Sequence, residues 1–492
     1  MLFDKITPEQ AGLSSESLLR GIKFLENNGI NLHSLLLMKG DKLFGEYYWA
    51  PFDKDFCHRM YSETKSFVGV AIGLLIEEGK LSLEDKVADF FPEKIDGELP
   101  QVLKEQTVRD MLNMRTCGHY PYWFTSGDPD RTHMYLNKNS AHRPSGTTWE
   151  YDSTGSQVLG NLVEKLSGQS LFDYLNDKIF KHLGTFKNAT ILKTPNGDSW
   201  GDSALICTSR DMISFGRFML NYGEWYGKRL MNERYLKDAT SPLVSNVVSA
   251  FRSYNSYGYG YQIWMHKHGF SFNGMCSQFM IAYPEQDVII VTTADNVGYT
   301  PTANALMFSA FEEFVINQIS KEPLPENKKA LDKLNEFTKD LKLQGCWGNK
   351  TSPNMDRYNG VEYVFDKNDK GFKTFKLTFN GDGGVLYYEN AQGKKELPFK
   401  MNENCFTTFP QFGYSNLVGG VKTTDGFTYK CATSGGWIDD DKFMLRVQII
   451  DIYFGNMTMT FGFKGEYCVV NITKTAENFL DEYPGEFITK RK

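Results

Sequence analysis

Ser62-Glu63-Thr64-Lys65 stands directly before the apolar run SFVGVAIGLL at 66–75, and this stretch is the most informative part of the chain. Side chains three residues apart lie on one face of a helix, so the Ser62 hydroxyl and the Lys65 amine can meet. A serine hydroxyl becomes a nucleophile when a base takes its proton, and a lysine in an apolar pocket can serve as that base. The stretch therefore predicts a serine hydrolase. The plain alternative is a surface serine that caps a helix.

A second segment, 144–156, places a tyrosine between a turn and a helix. Pro144 and Gly146 predict the turn, and the run 157–166 has helical apolar spacing. A tyrosine at such a junction can point its hydroxyl into a cleft, where a nearby lysine ammonium favours the phenolate. Tyr151 is therefore predicted to relay protons, although a phenol packed in a loop has the same signature.

A third segment, 272–278, leads into a predicted hairpin. The apolar runs 279–283 and 288–293 are separated by a turn that contains Pro284. Gly274 stands at the start of this hairpin, where the missing side chain lets a backbone N–H approach a ligand closely. An ordinary hairpin with a glycine at a strand end remains the alternative.

In this order, S-x-x-K, a turn with tyrosine and a strand ending in glycine resemble the β-lactamase and penicillin-binding-protein superfamily, especially its class C β-lactamase-like hydrolases and esterases. The resemblance spans about residues 1–320 and includes the non-catalytic phrases 76–87, 108–112 and 208–212. It implies that Ser62 is the nucleophile, Lys65 its base partner and Tyr151 the general base and acid. It also implies an oxyanion hole formed by the backbone N–H groups of Ser62 and Met275.

Two positions depart from the pattern of that superfamily. Ser153 replaces the amide that would hold Lys65 and the substrate, and Phe272 replaces the lysine or histidine of the third motif. Because a phenyl ring cannot pair with a substrate carboxylate, the sequence favours an ester or small amide over β-lactams and peptidoglycan peptides. Ser153, Phe272, Asn273 and Gly274 are predicted to contact this substrate. Two alternatives stay open: a D-peptidase or amidase, and a non-catalytic binding or scaffold protein that retains the fold.

A rival register of the third motif, Lys267-His268-Gly269, superficially matches Lys-Thr-Gly. It ranks second because its distance from Pro284 requires an extra loop. Gly201-Asp202-Ser203 is predicted to be a loop near the cleft. The aromatic loop 119–124 is predicted either to wall an acyl pocket or to cover the helical subdomain.

Composition narrows the possible partners. The net charge is −6 with interspersed charges, which predicts no nucleic-acid partner. The N-terminus does not resemble a signal peptide and no run approaches about 20 apolar residues, so a cytoplasmic protein without membrane contact is expected. The eight cysteines lack C-x-x-C spacing, and His266 and His268 lack a partner at metal spacing. We therefore expect no metal and no cofactor. The oligomeric state stays open.

The predicted fold class is α+β: a β-lactamase/transpeptidase-like domain with an antiparallel sheet, flanking helices and a helical subdomain, then a β-rich barrel-like domain. The chain exceeds one typical core. The predicted domains are residues 1–320, a linker with a short helix at 321–341, and the barrel at 342–492. In the barrel region, segments such as 375–379 and 457–463 alternate between apolar and polar residues and are separated by turns. The last domain resembles lipocalin-like C-terminal domains, and a packing or lid module is favoured over a ligand cavity.

Overall fold

The computed structural model describes residues 3–118, 128–247, 253–413, 426–476 and 480–492. The chain divides into two compact units at the Lys342–Leu343 junction. The predicted linker 321–341 belongs to the first of these units rather than lying between them. The aromatic loop 119–124 lies outside the described residues. No helix in the described ranges is long and apolar enough to cross a membrane.

The first unit is built on an antiparallel sheet with one parallel edge pair. Its strands are β1 (Asp4–Lys5), β2 (Leu32–Lys39), β3 (Lys42–Tyr48), β4 (His58–Arg59), β5 (Thr190–Ile191), β6 (Leu205–Cys207), β7 (Glu224–Trp225), β8 (Lys228–Arg229), β9 (Trp264–His266), β10 (Gly269–Gly274), β11 (Gln278–Tyr283) and β12 (Val288–Ala294). Seven of them form the main sheet in the order β1-β3-β2-β12-β11-β10-β9. The predicted hairpin of the runs 279–283 and 288–293 is confirmed as β11–β12, and β2 and β3 form a second hairpin.

The first unit also contains helices, some of which cover the two faces of this sheet. They are α1 (Ser15–Asn27), α2 (Thr64–Glu77), α3 (Gln101–Lys104), α4 (Val108–Leu112), α5 (Arg131–Lys138), α6 (Ser153–Ser167), α7 (Leu171–Leu175), α8 (Lys181–Leu183), α9 (Ser209–Leu220), α10 (Glu233–Ala239), α11 (Thr300–Phe311) and α12 (Lys328–Thr338). Helix α1 begins where the Ser14 side chain accepts a hydrogen bond from the Ser17 N–H, and it turns an apolar face inward. Helix α2 is buried on every side from Thr64 to Leu75, as expected for a helix that is apolar all round.

Each face of the sheet has its own packing. On one face, residues of α1, α11 and α12 form a single apolar core with alternate residues of β2, β11 and β12, including Leu35, Ile281 and Ile290. On the other face, α9 lies so close that a Cβ on Gly216 would stand 3.0 Å from the Met280 side chain. Alternation with a period of two residues assigns neighbouring side chains of one strand to these two cores.

The second unit is a β-barrel. After α13 (Met355–Tyr358) its strands are β13 (Glu362–Phe365), β14 (Thr374–Asn380), β15 (Gly383–Asn390), β16 (Gly393–Met401), β17 (Cys405–Phe412), β18 (Thr428–Asp439), β19 (Lys442–Ile450), β20 (Phe454–Lys464), β21 (Tyr467–Ala476) and β22 (Gly485–Arg491). A parallel pairing of β16 with β18 closes nine strands into a ring, and β17 pairs with β18. Alternate side chains fill the interior with a packed aromatic core that includes Phe375, Trp437 and Phe443. The predicted fold class is confirmed for both units.

Candidate active site

Ser62 lies at a sharp junction between a short strand and the buried helix α2. Strand β4 ends at Arg59, and a 3-10 turn over Tyr61–Glu63 leads directly into the helix. Tyr61 has a φ of 48°, a left-handed conformation that is uncommon for residues other than glycine. The Thr64 hydroxyl donates to the Tyr61 carbonyl at 2.6 Å and accepts from the Leu205 N–H at 3.0 Å, which fixes this turn.

Lys65 meets Ser62 as the three-residue spacing predicts. The Lys65 side chain is only 2% exposed, and its Nζ lies 3.0 Å from the Ser62 Oγ. The same Nζ donates to the backbone carbonyl of Asp202 at 2.7 Å and lies 3.6 Å from the Asp202 carboxylate. The amine therefore sits between the predicted nucleophile and a buried acidic residue.

Tyr151 reaches the same place from the turn before α6. Its ring centre lies 5.2 Å from the Lys65 Nζ, within the range of a cation–π contact. The ring stacks on Trp264 of β9 with centroids 5.4 Å apart, and Trp149 packs edge-on against the same indole. This aromatic packing fixes the position of the phenol beside Lys65.

Gly274 brings the third motif against the turn that carries Ser62. A Cβ on Gly274 would lie 2.3 Å from the Met60 carbonyl oxygen, so no other residue fits there without a shift of the backbone. Met275 follows at once in a 3-10 turn. The rival register is placed elsewhere, because Gly269 begins the same strand five residues earlier, roughly 16 Å away.

The prediction that Phe272 contacts substrate needs correction. Its side chain is fully buried, with its ring centre 6.0 Å from that of Phe67 and 6.1 Å from that of Phe215. The ring therefore belongs to the core under α2 and α9. Asn273 lies on the opposite face, in register with Phe279. Within the described parts of the chain its buried amide atoms have no hydrogen-bond partner.

Ser153 is the half-buried first residue of α6, whose cap is the Asp152 side chain. The Asp202 side chain faces the Lys65 amine instead, although Asp202 lies 137 residues after Lys65 in the chain. Sequence reasoning predicted only a loop near the cleft for Asp202. The sequence indicated the loop that contains Asp202 but not its contact with Lys65. No spacing rule relates two residues that are 137 positions apart.

Asp202 belongs to a buried cluster that is rich in cations. The guanidinium carbons of Arg59 and Arg131 lie 4.5 and 4.6 Å from the centre of the Trp200 indole. Burial raises the pKa of the Asp202 carboxyl, and the Lys65 and Arg131 cations oppose that rise. An ionised Asp202 suits this cluster, because buried guanidinium groups without a counter-ion would be very costly.

Among the residues that the structure describes, no group of three or more His, Cys, Asp or Glu side chains could hold a metal ion. The groups that the structure brings together at Ser62 are its hydroxyl, the Lys65 amine and the Tyr151 ring.

This arrangement of fold and side chains defines a serine-hydrolase-like site on a transpeptidase-type scaffold. A family model described as Beta-lactamase matches residues 24–309, more than half of the sequence, and the chain belongs to this family. The 6-aminohexanoate-dimer hydrolase of Paenarthrobacter ureafaciens is 28% identical over 221 residues, which cover 42% of this chain and 56% of that protein. The match thus spans little more than half of that relative's length.

Solved structures show the same fold at low identity. A Bacillus anthracis protein provisionally named a 6-aminohexanoate-dimer hydrolase superposes with a TM-score of 0.52 at 18% identity, covering 64% of this chain and 86% of that one. EstCE1, a hydrolase with promiscuous acyltransferase activity, superposes with a TM-score of 0.50 at 14% identity, covering 60% of this chain and 98% of that one. These similarities concern the fold of the first unit.

Proposed function

We propose that this chain is a serine hydrolase that cleaves an ester or a small amide through an acyl-enzyme on Ser62. The observation that carries the proposal is the contact of 3.0 Å between the Ser62 Oγ and the buried Lys65 Nζ, with the Tyr151 ring beside them. A nucleophile and a base within hydrogen-bond reach, oriented by a third group, are the signature of nucleophilic catalysis.

The proposed reaction has two steps. The Ser62 Oγ bonds to the substrate carbonyl carbon while its proton passes to Lys65 and Tyr151. These residues return the proton to the leaving alkoxide or amine as the old bond breaks. Water, deprotonated by the same pair, then attacks the acyl carbon. The bond between the acyl carbon and the Ser62 Oγ breaks, and the pair returns the proton to the Oγ. The backbone N–H groups of Ser62 and Met275 are proposed to stabilise the oxyanion in both steps.

The substrate class follows from the surroundings of the site. The third motif has the buried Phe272 in place of a lysine or histidine, so this position supplies no cation to pair with a substrate carboxylate. A neutral ester or small amide fits this chemistry better than an anionic β-lactam. The aromatic residues Trp149 and Trp264 beside Tyr151 favour an apolar part of the substrate.

A fluorophosphonate probe tests the proposal directly, because it reacts covalently with activated serines. We expect labelling of the wild-type chain and of Ser82→Ala, a variant of an exposed serine, and no labelling of Ser62→Ala. If the folded wild type is not labelled, the non-catalytic scaffold is favoured. That alternative is based on Phe272 and Ser153, the two positions that depart from the superfamily pattern.

Amidase activity is the second candidate. Its support is the relative named 6-aminohexanoate-dimer hydrolase, whose name describes hydrolysis of an amide-linked dimer. Turnover of p-nitrophenyl esters is to be compared with turnover of D-amino-acid amides and of linear amides of 6-aminohexanoate. A Ser62-dependent kcat/KM higher for an amide than for the esters would replace the esterase assignment.

A further inference from the structure

The turn that begins with Met275 has an unusual backbone. Cys276 and Ser277 have φ values of 66° and 73°, and both side chains are fully buried. Residues other than glycine seldom adopt this left-handed conformation, and two in succession persist only where the surroundings over-determine it. Such strain collects at functional sites, so the contacts that hold this turn are informative.

Three consecutive carbonyl groups of the turn each accept a hydrogen bond from a different buried residue. The Gln278 Nε2 donates to the Met275 carbonyl at 3.1 Å, and the Asn296 N–H donates to the Cys276 carbonyl at 3.2 Å. The Thr292 hydroxyl donates to the Ser277 carbonyl at 3.0 Å. The peptide planes that follow Met275 are therefore individually fixed.

Side chains bind the same turn to its neighbours. The Ser277 hydroxyl donates to the Asn304 Oδ1 at 2.7 Å and accepts from the Asn296 Nδ2 at 3.0 Å. The Gln278 amide exchanges two hydrogen bonds with the backbone of Ala294, at 2.6 and 3.0 Å. These polar side chains are almost completely buried, and a fully satisfied buried network is rigid.

We propose that Gln278, Ser277 and Asn296 are positioning residues that hold the Met275 N–H in the oxyanion hole. The turn starts at Gly274, which lies against the Met60 carbonyl two residues before the nucleophile, so a small shift of the turn moves the N–H relative to Ser62. A misplacement of about 1 Å can cost a factor of about 100 in rate. The inference rests on the proposed function, since only an acyl-transfer site needs this donor.

Gln278→Met is the main test, because methionine keeps the length of the side chain and removes both ends of the amide. We expect kcat for p-nitrophenyl acetate to fall by about 10- to 100-fold while KM stays within about two-fold. Inhibition by phenylboronic acid, whose tetrahedral adduct occupies the oxyanion hole, should weaken by a similar factor. The matched control is Gln448→Met in the barrel, a buried glutamine whose Nε2 donates to the Gln344 carbonyl, and there kcat should not change.

Ser277→Ala is the second variant in case Gln278→Met does not fold. It removes the bonds to Asn304 and Asn296 and should show the same split between kcat and KM. If a folded Gln278→Met or Ser277→Ala keeps the wild-type kcat, or changes KM and kcat equally, the network only stabilises the hairpin and the inference is overturned. If the wild type has no Ser62-dependent turnover, the proposed function itself has failed, and the network then has no catalytic role.

Discussion

The interior around Ser62 and the interior of the barrel contain different kinds of side chain. The first contains the charged side chains of Arg59, Lys65 and Asp202, all fully or nearly fully buried, whereas the described barrel core is a cluster of aromatic and aliphatic residues. Burial of apolar area stabilises a fold by about 25 cal/mol per Å², but burial of charge costs free energy unless the charges are paired. The contrast agrees with the chemistry proposed at Ser62 and with a stabilising role for the apolar core of the barrel.

The largest expected effect comes from removing the amine nearest to Ser62. We expect Lys65→Met to lower kcat/KM for p-nitrophenyl esters by about 10³- to 10⁴-fold, because Ser62 loses its proton acceptor. Lys328→Met, at a lysine with an 85% exposed side chain paired with Asp332, is the control and should leave the rate unchanged. Ester turnover that survives Lys65→Met would remove the assigned base and with it the chemical explanation of the contrast.

Asp202→Asn tests whether the buried cations depend on their counter-ion. Breaking a buried ion pair from one side typically costs about 3–5 kcal/mol of stability, and we expect a loss of that size in denaturant unfolding of the first unit. We also expect kcat to fall by about 10-fold or more, since the Lys65 amine loses the carboxylate that helps to hold it. Asp173→Asn, at an exposed residue in the first turn of α7, is the matched comparison. A fully stable Asp202→Asn with normal turnover would show that the carboxylate is dispensable.

The barrel should respond in the opposite way. Phe443 is fully buried against Phe379, Phe399 and Trp437, so Phe443→Ala should lower the free energy of unfolding by about 3–5 kcal/mol. The kcat of molecules that remain folded should stay within about two-fold. Phe406→Ala, at a ring that is 51% exposed, should change stability by no more than about 0.5 kcal/mol. A large loss of kcat in folded Phe443→Ala would mean that the barrel interior also serves the reaction.

The smallest expected effect is a pH dependence confined to the first unit, because all eight histidines precede residue 269. His33 and His58 are buried, and a ring nitrogen of one lies 2.7 Å from a ring nitrogen of the other. Burial lowers the pKa of His58 to about 3. Burial and the neighbouring His58 lower the pKa of His33 well below its ordinary value. The unfolded chain takes up these protons near pH 6.5 and the folded chain does not. Each histidine therefore costs about 1 kcal/mol of stability between pH 6.5 and 5.5.

Chemical denaturation at pH 7.5, 6.5 and 5.5 measures this dependence. His58→Gln should flatten it, whereas His142→Gln, at an exposed histidine, should reproduce the wild-type slope. A slope in His58→Gln equal to that of the wild type would contradict the buried neutral pair, because the other titrating groups, such as Glu63 and His133, are the same in both proteins.

Much of the site could be predicted where residues are neighbours in sequence. Three-residue helical spacing placed the Lys65 amine beside Ser62, and turn and strand signals placed Tyr151 and Gly274 at the ends of their elements. Asp202 was missed because its approach to Lys65 depends on the packing of a distant loop. The direction of Phe272 was also missed, since a strand pattern tells which residues alternate but does not tell which face lies under α2.

The sequence alone determined the local geometry: the hydroxyl and amine on one helical turn, the hairpins, and the alternating strands of the barrel. These features depend on the fixed periods of helix and strand, which act over a few residues. Only the tertiary structure decided which loop supplies the counter-ion, which glycine meets the Met60 carbonyl, and which buried amides hold the Met275 turn. Those contacts join residues far apart in the chain, and they form only when close packing brings distant surfaces together.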